Sequence, residues 1–166
     1  MHTATKVAVL ALVLVVAGAA TGRAQNNASM NVTANVFRPI TVAADRQLVF
    51  GNVFPGQGPQ GMPLGSPTAG HFSITGEPSA SVSMSFVVSP LSQGANTLPL
   101  TLNATYNPVD NAGGTSITSF VAPTATSLSG GPTGQLFVYM AGTVTPAANQ
   151  APGNYSGTIQ LTVIYQ

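Results

Sequence analysis

The chain has no cysteine, no tryptophan and almost no charge: 4% of its 166 residues are Asp, Glu, Lys or Arg. Without cysteine there is neither a disulfide framework nor a thiolate to serve as nucleophile or metal ligand, so the fold must rest on apolar burial and β-ladders. Lysine occurs only at Lys6. Beyond the first 24 residues the charged side chains are Arg38 and Arg46 against Asp45, Glu77 and Asp110, a net charge of −1. Two arginines cannot neutralise a run of phosphates, which excludes nucleic acid as a partner, and they supply no patch for an anionic membrane surface. Disorder needs low hydrophobicity as well as repelling charge, yet 44% of the residues are hydrophobic. This chain is expected to fold.

The N-terminus has the form of an export signal. Lys6 precedes the apolar run Val7 to Ala17, and the small residues Gly22 and Ala24 stand at −3 and −1 of a cleavage point before Gln25. The run is shorter than the roughly 20 residues that span a bilayer, and no later stretch approaches that length, so no membrane span is expected in the mature form. Residues 1–24 are read as a signal peptide, 25–36 as an N-terminal extension or first strand, and 37–166 as one β-sandwich domain.

From Met30 onward the dominant pattern is period-2 alternation with β-branched and aromatic enrichment, and no helical period competes with it. Met30, Val32, Ala34 and Val36 share one face, and Ile40 and Val42 continue that parity beyond Pro39, which cannot donate to a ladder and requires a kink or an edge. Leu48–Phe50, His71–Thr75, Val82–Val88, Leu98–Tyr106, Ile117–Val121 and Leu136–Val144 follow as strands. The run Leu136–Val144 is apolar on both parities, as expected of a strand covered on both sides. In the last strand Tyr155, Gly157, Ile159, Leu161, Val163 and Tyr165 alternate with Ser156, Thr158, Gln160 and Thr162, which predicts a core strand. Seven or eight such strands predict an all-β, two-sheet sandwich.

Little in the inventory can do chemistry. Past the signal, His71 is the one side chain that ordinarily titrates near neutrality. A triad needs it beside an acid and a serine, whereas Asp45, Glu77 and Asp110 all read as turn residues. No enzyme activity, metal or cofactor is expected: there is no zinc ligand set and no acidic calcium loop. Gly56-Gln57-Gly58-Pro59-Gln60-Gly61 matches a dinucleotide fingerprint, but Pro55, Pro59, Pro63 and Pro67 forbid the helix that fingerprint must open. Sequons beginning at Asn27, Asn31, Asn103 and Asn154 become glycan sites only in a eukaryotic host.

Three stretches carry a resemblance: Leu48-Val49-Phe50-Gly51 with Pro55-Gly56; Phe72-Ser73-Ile74-Thr75-Gly76-Glu77-Pro78; and Ala151-Pro152-Gly153-Asn154-Tyr155-Ser156-Gly157-Thr158 leading to Val163-Ile164-Tyr165. Together they resemble a bacterial family of secreted domains of unknown function, itself similar to spore coat protein U and archaic chaperone–usher pilin domains. The resemblance implies an immunoglobulin-like sandwich exported to the periplasm, cell surface or medium of a bacterium. It also implies self-association or related subunits as partners, with a periplasmic chaperone, and Tyr165 is penultimate as in chaperone-recognised pilin termini.

Pilin-like subunits assemble when the N-terminal extension of one copy completes the sheet of the next. Residues 28–36 span about 30 Å when extended and present Met30, Val32, Ala34 and Val36 as knobs. Residues 30–42 could equally form the first, proline-kinked strand of a self-complete monomer. The leading expectation is a fimbrial or coat-type structural subunit; the alternative is a monomeric surface or carbohydrate-binding module using loops 51–70 and 107–134. Those loops offer Phe54 and, in the strand candidate, Phe120 for sugar stacking.

Overall fold

The computed structural model describes residues 26–166, so the expected signal peptide and its cleavage before Gln25 lie outside the described residues. The chain divides into two units between Asn35 and Val36. In the first unit, residues 26–35 belong to no strand, and Met30 and Val32 are 87% and 88% exposed. Neither they nor residues 36–40 form the predicted first strand. Pairing starts only after Pro39, once every residue has an N–H to give.

The second unit is all-β and contains eleven strands: β1 Thr41–Arg46, β2 Gln60–Met62, β3 Gly70–Gly76, β4 Ser81–Val88, β5 Leu91–Gln93, β6 Asn96–Leu98, β7 Leu100–Asn107, β8 Thr115–Ile117, β9 Thr124–Ser127, β10 Gly134–Val144 and β11 Ile159–Tyr165. The surplus over seven or eight consists mainly of three-residue pieces, too short to leave a periodic trace. β2 lies inside the expected loop 51–70, and β8 and β9 inside the expected loop 107–134. Two further expectations shift. Leu48–Phe50 is not a strand, and Val121, placed in one by its apolar neighbours, is 99% exposed beyond the end of β8.

All pairings are antiparallel. The large sheet runs β1-β3-β10-β7-β8, with β2 also paired to β10; the second sheet runs β11-β4-β9; β5 and β6 form a hairpin of their own. β10 pairs β3 through Gly134–Met140 and β7 through Phe137–Val144, which explains why it is apolar on both parities. The core lies between the two larger sheets. Ile74 from β3 and Leu136, Val138 and Met140 from β10 meet Val82, Met84 and Phe86 from β4 and Leu161 from β11. Val88 continues the parity of β4 but is 36% exposed, beyond the reach of the facing sheet.

The run Leu98–Tyr106 keeps an unbroken alternation, yet it is two strands in two sheets. Pro99 interrupts the donors between β6 and β7, and its carbonyl accepts from Thr145 N–H at 3.1 Å. The chain therefore passes from the hairpin to the large sheet at this residue.

Candidate functional site

The two larger sheets do not close on each other along one side. β1, the edge of the large sheet, pairs only with β3 among the described residues, and β11, the edge of the second sheet, only with β4. Both edges carry backbone N–H and C=O groups that no strand takes up. Every residue of β1 is exposed, an unusual state for a strand that has a core behind it.

Between these edges lies a cavity of about 390 Å³. Phe72 from β3 and Met140 from β10 line it, with Leu48 and Phe50 from the segment after β1, Leu91 from β5 and Ile159 from β11. A second cavity of about 690 Å³ shares Gln47, Leu48, Phe50, Leu91 and Gly157 with the first, so the two form one trough that continues toward Phe54 and Tyr155. At Gly157 a Cβ would sit 2.9 Å from the carbonyl oxygens of Ser89 and Pro90, so only glycine lets the chain lie this close to the end of β4. Alternation explains Phe72 and Ile159 here. Leu48 and Phe50 have a different origin: they line the trough from an irregular segment, tied down by Val49 N–H donating to Thr68 O at 3.0 Å.

The predicted C-terminal core strand corresponds to β11, which starts at Ile159. Leu161 is buried, Ile159, Val163 and Tyr165 are half-buried on the same side, and Gln160, Thr162 and Ile164 are exposed. As an edge strand β11 is covered less fully than a central one. Tyr155 is not part of it: its hydroxyl donates to Ala151 O at 2.8 Å and meets Gln150 Nε2 at 2.6 Å, which ties off the turn before the strand. Met30, Val32, Ala34 and Val36 are all exposed.

Beside the trough the structure gathers the residues that sequence reading had scattered. Asp45 is not in a turn: it is the extra residue of a bulge in β1, where Ala44 pairs Phe72 and Arg46 pairs His71. The bulge turns its carboxylate onto His71 Nδ1 at 3.0 Å, while Asp110, from the segment after β7, stands 3.2 Å from Nε2. His71 is buried against Tyr139, edge-on at 4.6 Å, and Phe137, stacked at 5.9 Å; Arg46 lies over the Tyr139 ring. No signal in the sequence could join Asp45, His71 and Asp110, because the register of three strands and one loop decides their meeting. Among the described residues no three His, Asp or Glu side chains are disposed to hold a metal ion.

Tyr139 donates to Asp110 Oδ1 at 2.6 Å. That bond is the main reason the Asp110 carboxyl is held below its ordinary value, helped by His71 and opposed by burial. The same bond, with burial, raises the Tyr139 phenol. A lowered carboxyl contributes stability above its unfolded value and loses it as pH falls; a raised phenol contributes below its unfolded value and loses it as pH rises. The advantage of wild type over Tyr139→Phe is therefore greatest between about pH 5 and pH 9 and shrinks on both sides. Urea midpoints of the two proteins at stepped pH will show this, and a constant difference would refute it.

A family model described as a domain of unknown function, DUF4402, matches residues 39–165. A search of curated proteins finds no match.

Proposed function

The chain belongs to the DUF4402 family, and from that premise we propose that it is a secreted, non-enzymatic structural subunit that assembles by strand donation. Residues 28–36 of one copy lie in the trough of the next, bonding to the free edge of β1 or β11, with alternate side chains from Met30 to Val36 facing the apolar floor. The observation that carries this reading is the trough itself: two unpaired edges flanking Phe72, Met140 and Ile159. An apolar cleft bordered by idle backbone donors and acceptors fits an extended peptide better than a small rigid ligand. The exposed, unpaired Met30, Val32 and Val36 supply the complementary half.

The resemblance read in the sequence to pilin and coat-protein domains, and the export signal expected in residues 1–24, would agree with this role. Asp45 stands 3.0 Å from His71 Nδ1 and Asp110 3.2 Å from Nε2, so carboxylates and not a hydroxyl nucleophile lie against the ring nitrogens. In the carbohydrate-binding alternative the ligand would stack on Phe54, which is 66% exposed at the far end of the trough.

A donated strand makes a head-to-tail contact that does not close, so the expected product is a filament. Electron microscopy of the native secreted protein, with sedimentation of the same sample, should show filaments and material far heavier than one chain. Monodisperse particles of one chain's mass at high concentration would exclude the proposal.

A further inference from the structure

Residues 36–40 belong to no strand, so no ladder holds the root of the extension. Side chains hold it instead, and most of the holding converges on Tyr165 at the end of β11. Its ring stacks on Phe37 with centroids 5.2 Å apart and planes inclined by 27°. Its hydroxyl donates to Arg38 O at 2.7 Å and accepts from Glu77 N–H at 2.7 Å. Arg38 N–H in turn donates to Glu77 Oε2 at 3.2 Å, and its guanidinium reaches Pro132 O. One phenol thus joins the last strand, the turn after β3 and the two residues that precede Pro39.

The accompanying ion pair cannot substitute for it. Arg38 Nε is 3.9 Å from Glu77, with the arginine side chain 56% exposed, and such pairs are worth little in water. The phenol also has a purpose-shaped seat. A Cβ at Gly76 would lie 2.6 Å from the Tyr165 hydroxyl and 2.9 Å from Leu128 Cδ1, so the absence of a side chain there makes the room. Gly76 lies in β3, where a larger residue would otherwise pack better.

We infer that Tyr165 is a positioning residue for assembly: it clamps Phe37 and Arg38 so that the donated segment starts from a fixed point on the domain. The inference rests on the strand-donation reading. Its physical basis is entropic, since each backbone residue left free at the root must be ordered when the segment docks, at roughly tenfold in affinity per residue. Pro39 extends the ordered stretch by fixing its own φ.

The test uses the full chain. Tyr165→Phe keeps the stacked ring and removes both hydroxyl bonds, and Gly76→Ala crowds the seat from the other side. In each variant hydrogen exchange at the Glu77 amide should rise about tenfold or more while the amides of β10 stay protected, and the concentration for half-maximal sedimentation should rise about tenfold. Ile117→Val, a mild core change on the distant edge strand β8, serves as the stability control and should leave that concentration unchanged. Sedimentation unaltered in Tyr165→Phe, a Glu77 amide that remains protected, or an equal effect from Ile117→Val overturns the clamp. Wild type that never sediments would instead remove strand donation, and any positioning role with it, while the Glu77 exchange still reports whether the hydroxyl bonds exist.

Discussion

Val32→Asp is expected to abolish assembly while leaving the monomer folded. Val32 is 88% exposed, so a carboxylate there stays in water and costs the single chain nothing. Inside a neighbour's trough the same carboxylate would leave water for a floor of Phe72, Met140 and Ile159. Arg46, the cation on the trough's lining, is already held over the Tyr139 ring, so burial of the carboxylate is unfavourable by several kcal/mol. At about 1.4 kcal/mol per factor of ten, the loss of affinity is a hundredfold or more. Thr33→Asp places the charge on the opposite parity and should sediment nearly as wild type does. Comparing the two by sedimentation, with circular dichroism to confirm folding, is decisive. Equal sedimentation of both variants, or unfolding of Val32→Asp, would mean that residues 28–36 are not a donated strand.

Leu136→Ala should be the most damaging single truncation. Leu136 is fully buried on β10, paired to Ile74 of β3 one residue before the ladder to β7 begins, so the surroundings cannot readily collapse into the space left behind. The expected loss is about 2–5 kcal/mol out of about 5–15 kcal/mol for a domain of this size. Ile159→Ala should cost distinctly less, because Ile159 is half-buried at the start of an edge strand and borders the trough. Urea unfolding gives both values. A smaller midpoint shift for Leu136→Ala than for Ile159→Ala would contradict the core described here.

Much of the fold is legible in the sequence, and the reasons are specific. β10 can be read from its double apolar parity and β11 from a clean alternation, since burial on one or both faces dictates those patterns. The passage through Pro99 is not legible. Leu98, Leu100 and Leu102 keep the same parity on either side of it, because both sheets take their apolar residues from the same core side. The parity of Met30 to Val42 misleads in the opposite sense, since alternation records what a segment can pair with and not whether its own domain does so. As for the site, Phe72 and Ile159 follow from alternation. The grouping of Asp45, His71 and Asp110 depends on a bulge and on a loop path that no local pattern encodes.

The described charged side chains fall into two compact groups, Arg38 with Glu77 and Arg46 with Asp45 and Asp110 around His71, for a net charge of −1. Little field escapes either group, and the rest of the described surface carries none. Two copies approaching each other are therefore not steered, and their encounter falls in the unassisted range of about 10⁵–10⁶ M⁻¹s⁻¹, largely indifferent to ionic strength. Under the proposed strand donation, whatever orients one copy on another must act at contact, through shape and backbone, in fresh water and brine alike.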